Sequence, residues 1–350
     1  MSREPHLDQN MPKFPYTKDF KAIIKSHNPP PPFGNIYGPG NRLHVPDSWL
    51  KGVSRRQHVL EYPPLNTADP QHPIEAELAF IKGIAIGNRR GAQLMLCSVA
   101  PHGAGETYQA VAKIYDALYY PFDGGMFDDE PLDAVWSADE DYSREAAAYE
   151  CLQADGRLNG AFAPEYFGSW TFTLPSKQDG GVTTDRPVRL VLVEHLDGPS
   201  MSSLLYSPRN NVHHTEQFRL AVFAKLLHEV SRMVQIGVGQ GDFVPRNIML
   251  VPQGVGLTGD IPRVVLIDYN SSIVWERTAD GYSPKPEKPQ NPIQTWWGDC
   301  FPDFAGWIPD EWFKYPKLRQ QWLLDQFGGE GVKESYKSIT KKLEFDNNVY

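Results

Sequence analysis

Three runs of residues, 75–86, 93–99 (QLMLCSV) and 108–115 (YQAVAKIY), carry the apolar patterning of strands. Gly-Asn-Arg-Arg-Gly at 87–91 turns the chain between the first two, and a Gly-containing connection at 101–106 joins the second to the third. Together they predict an antiparallel meander. Residues 142–153 then predict a helix. Ala146, Ala147 and Ala148 favour it, and Glu145, Ala148, Tyr149 and Leu152 fall on one face. Glu145 thus carries a charge on the apolar stripe and requires a partner, whereas Glu150 lies around the helix and is expected to be solvated. Two further strands are predicted at 167–174 and 189–194 (RLVLVE), the second ending in Asp197-Gly198-Pro199. A long helix is predicted over 215–235, with Phe218, Val222, Leu226 and Val230 at helical spacing and Thr215 as its N-cap. Short strands follow at 247–251 and 263–267.

The pattern is therefore α+β. Five strands and one helix precede a mainly helical part, with the join near 194–200. Ahead of them, residues 1–74 hold 13 of the 31 prolines, including Pro29-Pro30-Pro31-Pro32, so extended segments and turns are expected rather than core helices. A strap along the surface is the plain reading, and a ligand for a protein partner that reads polyproline is the sharper one. Five of the nine tryptophans (Trp296, Trp297, Trp307, Trp312, Trp322) crowd one stretch, which reads as a packed helical region rather than an aromatic cage. The tail, 333–350, reads as a polar, frayed helix.

Composition narrows the function. The 350 residues are 41% hydrophobic and 22% charged, enough for a packed core. The net charge is −9, and nine acids with no Lys or Arg lie in 116–141. That imbalance argues against nucleic acid as the partner. The acidic window reads as a solvated insert, or as a negative rim that attracts cationic partners. Cys97, Cys151 and Cys300 are odd in number and far apart, so a disulfide framework or a zinc site is not expected. Residues 1–14 lack the apolar core of a secretory signal, and no run is long enough to span a membrane. A cytoplasmic protein is expected.

One ordered constellation carries chemistry. Lys113 lies inside a strand in Val111-Ala112-Lys113-Ile114, and Glu145 lies on the following helix. Asp242 and Asn247 stand five apart in Gly241-Asp242-Phe243-Val244-Pro245-Arg246-Asn247, and Asp268 ends the strand Val264-Val265-Leu266-Ile267. Phosphoryl transfer needs such a set: a lysine on the nucleotide phosphates, a carboxylate to orient it, a carboxylate facing the acceptor hydroxyl, and oxygen ligands for Mg²⁺.

On these residues the chain resembles the protein-kinase-like superfamily, nearer to aminoglycoside-phosphotransferase-type kinases and fungal kinase-like proteins than to regulated protein kinases. The resemblance covers roughly 75–275. It implies a bilobal fold with a five-stranded antiparallel N-lobe carrying one helix, and a mainly helical C-lobe. The implied division is a Pro-rich extension at 1–74, an N-lobe at 75–196, a C-lobe at 197–332 and a polar tail at 333–350. It also implies roles. Lys113 resembles the strand lysine and Glu145 its partner. Asp242 resembles the catalytic-loop aspartate. Asn247 and Asp268 resemble the metal ligands. Gly83, Gly87 and Gly91 bracket the hairpin where the family places its phosphate cover. Glu194 and Leu196 stand where backbone groups bind adenine. ATP and Mg²⁺ are the implied cofactors and a small molecule the favoured acceptor.

There are departures. Gln240 replaces a histidine, and Gln can likewise donate and accept. Gly241 stands where protein kinases often carry Arg. The D-F-G position reads Asp268-Tyr269-Asn270, no A-P-E follows, and Gly83-x-x-x-Gly87-x-x-x-Gly91 is not G-x-G-x-x-G, though Arg89 or Arg90 could add charge at its tip. These departures motivate the alternative of a pseudokinase, a nucleotide-binding or scaffolding module. Transfer of another group, such as AMP, would use the same residues.

Overall fold

Lys21–Ser26 (β1) reads KAIIKS; its Ile24 is fully buried and its two lysines are exposed. In this computed structural model β1 pairs antiparallel with Glu75–Ala85 (β2), with Ile24 opposite Ala76. Residues 12–40, 42, 45–87, 90–103, 105–122, 132–177, 181–206, 214–253, 261–281 and 285–349 are described. On β2 the alternate residues Ala76, Leu78 and Phe80 are buried, while Glu75 and Glu77 reach Lys25 and Lys21 of β1. This is the period-two pattern of a strand with one face in a core.

The sheet continues through Gln93–Pro101 (β3), Tyr108–Tyr115 (β4), Tyr166–Lys177 (β5) and Thr183–Val193 (β6). It closes as a barrel in the order β1–β2–β3–β4–β6–β5. The expected five-stranded sheet is thus corrected to a six-stranded barrel. The extra strand comes from the Pro-rich segment: β1 hydrogen-bonds β2 on one side and β5 on the other, covering two edges that a five-stranded sheet would leave unpaired. Ile24, Leu78, Met95, Cys97, Val99, Ala110, Ala112, Leu190 and Leu192 are buried strand residues.

The helices, in chain order, are Asp47–Leu50 (α1), Arg55–Glu61 (α2), Ala134–Asp155 (α3), Met201–Tyr206 (α4), Glu216–Gln235 (α5), Pro292–Trp296 (α6), Glu311–Lys314 (α7), Pro316–Phe327 (α8) and Glu330–Lys333 (α9). α3 begins eight residues before the expected helix. Asp133 starts it by accepting from the backbone N–H groups of Val135 and Trp136 at 3.1 and 2.9 Å. It is buried on most sides. Tyr142 and Tyr149 pack on Tyr115 and Tyr166 of the barrel, while Arg144 donates to the carbonyl of Phe33 and Asp139 pairs with Arg42. A helix enclosed on both faces has room only for small side chains, which accounts for Ala146–Ala147–Ala148 at 0–1% exposure. Glu150 is not fully solvated either, since it pairs with Arg277 at 2.9 Å.

The Pro-rich segment and the acidic window change character together. Pro30, Pro32 and Phe33 are buried, so this part of the Pro-rich segment is built into the fold as a strap. Asp116 is buried and accepts from both guanidinium nitrogens of Arg186, at 2.5 and 2.8 Å, and from the hydroxyl of Tyr16. Asp139 accepts from Arg42 and from the backbone N–H of Leu65 at 2.9 Å. Acids read as a solvated insert are thus interior partners of arginines and of the strap. Asp123, Asp128, Asp129 and Glu130 lie outside the described residues.

The chain divides into two compact units: the described residues of Met1–Glu150, Glu165–His195 and Arg277–Ala279, and those of Cys151–Pro164, Leu196–Glu276 and Asp280–Tyr350. The second unit is built on α5, whose cap is Thr215 Oγ1 accepting from Phe218 N at 3.2 Å. Phe223 of α5 packs against Phe301, Phe304 and Trp322, and Trp307 exchanges hydrogen bonds with Arg219 at 2.9 and 3.1 Å. Its short strands are Val238–Gly239 (β7), Ile248–Val251 (β8), Arg263–Leu266 (β9) and Ile273–Val274 (β10), paired β7 with β10 and β8 with β9. The tail is corrected from a frayed helix. Beyond α9 it is irregular and held by Gln294, Trp297 and Gln320, because its own N–H and C=O groups find side-chain partners there. Among the described residues no helix is long and apolar enough to cross a membrane.

Candidate functional site

β4 lies between β3 and β6, with Lys113 opposite Leu94 on one side and Val191 on the other. A strand paired on both edges is rigid, so the Lys113 side chain leaves from a fixed base. It is 8% exposed, and Glu145, one turn beyond Tyr142 on α3, is 1% exposed. Glu145 Oε2 accepts from Lys113 Nζ and, at 2.7 Å, from the hydroxyl of Tyr115. Lys113 and Tyr115 are two apart on one strand and so share a face. A carboxylate withdrawn this far from water is tolerable only when its oxygens are hydrogen-bonded. Burial first, then the charge of Glu145, pushes the Tyr115 phenol well above its ordinary range, so it stays a donor.

The β2–β3 hairpin carries the three glycines. Gly83 lies in β2 beside a break in register, and Gly87 follows the strand. The fully buried Gln93 side chain ties the hairpin. Its Oε1 accepts from Gly87 N at 2.8 Å, and its Nε2 donates to the carbonyls of Gly87 at 2.9 Å and Gly91 at 3.3 Å. A Cβ at Gly91 would lie 3.3 Å from Asp141 Oδ2, which also accepts from Tyr120 at 3.1 Å. The Gly87 amide, which a phosphate cradle would offer, is therefore engaged by Gln93. Arg89 lies outside the described residues. At the end of β6, Glu194 N donates to Glu165 O at 2.8 Å, and Glu165 N donates to Glu194 Oε2 at 3.1 Å. Leu196 begins the second unit.

In that second unit, the β8–β9 ladder sets Asn247 before one strand and Asp268 just after the other. Ile267 N donates to Asn247 O at 2.8 Å. Asn247 is buried, and its Nδ2 donates to the backbone oxygen of Asp242 at 3.0 Å and to Asp242 Oδ2 at 2.8 Å. Arg246 clasps the same carboxylate, at 2.9 and 2.7 Å. Gln240 joins the loop to the strand end: Nε2 donates to the carbonyls of Ile267 and Asp268 at 3.3 and 3.0 Å, and Oε1 accepts from Ser272 Oγ at 3.3 Å. The residue standing in place of histidine thus both donates and accepts. Asp268 has φ 66°, a left-handed conformation that Asp tolerates better than bulkier residues.

The structure therefore joins Lys113 to Glu145 in one unit and Asp242, Asn247 and Asp268 in the other. Tyr115, Gln93 and Arg246 were not singled out from the sequence. Tyr115 stands two beyond Lys113 on its strand, and Arg246 stands four beyond Asp242, and those spacings were the available signals. Among the described residues no group of three or more His, Cys, Asp or Glu is arranged to hold a metal ion. Asn247 and Asp268 offer one amide oxygen and one carboxylate, a partial set of the kind that holds Mg²⁺ together with phosphates and water.

No protein-family model matches the chain, and no curated protein matches it. Among solved structures it is similar to the Mycobacterium tuberculosis PknI kinase domain, at 14% identity and a TM-score of 0.33, over 55% of this chain and 60% of that one. At that TM-score the likeness carries no weight for fold or activity.

Proposed function

We propose that the protein is an ATP- and Mg²⁺-dependent phosphotransferase acting on a hydroxyl, with a small molecule as acceptor. The observation that carries this reading is the buried Lys113–Glu145 pair. A lysine fixed on a central strand and paired with the Glu145 carboxylate suits the gripping of a polyanion, and its burial runs against a role in solubility. In this reading Lys113 holds the α- and β-phosphates. Asn247, through Oδ1, and Asp268 hold Mg²⁺, which when bound offsets the phosphate charge. Asp242 orients the acceptor hydroxyl and takes its proton, with its rotamer set by Asn247 and Arg246. Positioning and charge carry most of the rate.

A second reading, a nucleotide-binding module with little transfer, rests on a specific observation. The Asp242 carboxylate already accepts from Arg246 and Asn247, and the Gly87 amide is taken by Gln93. Thermal-shift measurements with ATP, with and without Mg²⁺, separate the outcomes. A ligand at a hundred times its Kd raises stability by about 2.7 kcal/mol. A Mg²⁺-dependent shift followed by acceptor-dependent ADP release is the expected result. A shift without ADP release across a panel of alcohols supports the module, and no shift removes both readings. Asp268→Ala is expected to abolish turnover while the protein stays folded, and Lys113→Ala to abolish it at a lowered melting temperature, because Glu145 is left buried without its cation. Wild-type activity in either would overturn the assignment.

A further inference from the structure

We infer that Tyr115 is a positioning residue: its hydroxyl holds Glu145 Oε2 at the point where that oxygen anchors Lys113. The inference rests on the reading of Lys113 as the phosphate-binding lysine, but its geometry is independent of any nucleotide. The carboxylate oxygen that receives Lys113 Nζ also accepts from Tyr115 at 2.7 Å. Tyr115 is fixed in turn, since its backbone pairs with Arg189 of β6 and its ring packs at 5.4 Å on Tyr142 of α3. Tyr142 is one turn before Glu145 on the same helix face, and its hydroxyl meets His27 Nδ1 at 2.7 Å. Barrel, helix and strap therefore converge on one carboxylate oxygen. A glutamate side chain has three rotatable bonds, so its burial alone does not select one rotamer. The phenol supplies the second point of attachment that does.

The chemical test uses the full chain and needs no nucleotide. Lysines are acylated with an amine-reactive ester at fixed pH, and the rate at Lys113 is read by mass spectrometry against Lys82 and Lys225. In Tyr115→Phe, which keeps the ring and its packing, Lys113 is expected to react about tenfold faster, the change for loss of one hydrogen bond to a charged group, with the reference lysines unchanged. In a Glu145→Gln background the same Tyr115→Phe change is expected to add nothing, because the phenol acts through the carboxylate. An unchanged Lys113 rate in Tyr115→Phe overturns the inference, as does equal acceleration at all three lysines, which would mean general loosening. The companion measurement is the Kd for MgATP, expected to weaken by a similar factor, with the melting temperature lowered only by the loss of this one buried hydrogen bond. If the wild type does not bind MgATP, the functional reading fails, and the acylation contrast still decides the role of Tyr115.

Discussion

Gly241 has no room for a side chain: a Cβ there would lie 2.3 Å from the carbonyl oxygen of Ser271 and 3.2 Å from its carbon. Those are backbone atoms of the segment that follows Asp268, so neither can step aside cheaply. Gly241 precedes Asp242 and follows Gln240, which spans the same gap with two hydrogen bonds. Gly241→Ala is therefore expected to push the Asp242 loop away from the Asp268 strand end and to lower turnover at least tenfold. The loss of stability should be about 1–3 kcal/mol, the range for overpacking. Steady-state turnover and urea denaturation on one preparation check both, and full activity would mean that the loop tolerates the shift. This close approach was not legible in the sequence, where Gly241 was notable only for not being arginine. Lys113 and Asp268 were legible, because each sits within or at the end of a short apolar strand where a charge is out of place. Arg246 was not, because an arginine four residues from an aspartate is common on any surface.

Among the elements, β1 and the residue after it show what acid does to the barrel. His27 directly follows β1, with its ring between Tyr142 and Thr67. Burial, and then the charge of Arg189, lowers its pKa to about 3, so it is neutral in the folded protein. In the unfolded chain it titrates near 6.5. Between those values the unfolded state binds a proton that the folded state does not, so this contribution to stability is complete above pH 6.5 and is lost as pH falls toward 3. Asp139 works the other way. Burial raises it to about 6 against the pull of Arg42, so its contribution falls as pH rises from about 4 to 6. His27→Gln isolates the first effect. The stability gap between wild type and variant, from urea midpoints, is expected to shrink steadily from pH 7 to pH 4. A constant gap would show that His27 titrates normally in the folded state. Strands β2, β3 and β4 were readable because each is an apolar run bounded by turns. β1 was not, since KAIIKS is short, sits among prolines, and finds its partners about 55 and 145 residues away.

At the scale of the whole chain, the described residues of the Pro-rich segment are structural. They supply β1, the Tyr16 hydroxyl on Asp116, and Arg42 on Asp139. A fragment spanning 75–350, the part the resemblance starts from, would leave β2 and β5 with bare edges and Asp139 buried without its arginine. Breaking a buried ion pair alone costs about 3–5 kcal/mol, a large share of a domain's net stability. The fragment is expected to aggregate or to lack a cooperative melting transition, in contrast to the full chain. A soluble fragment melting like the full chain would show that the strap is dispensable. The net charge of −9 reads differently at this scale too. Asp116 and Asp139 offset interior arginines, so part of the acidic window was an account of the core.

The closing strand also sets a timetable. β1 leaves the ribosome well before its second neighbour, β5, which is about 145 residues downstream. At the usual ~5–20 residues per second, β1 waits roughly seven to thirty seconds with an unpaired edge before the ring can shut. Its two lysines on so short a strand are what discourage a stray partner from taking that edge first.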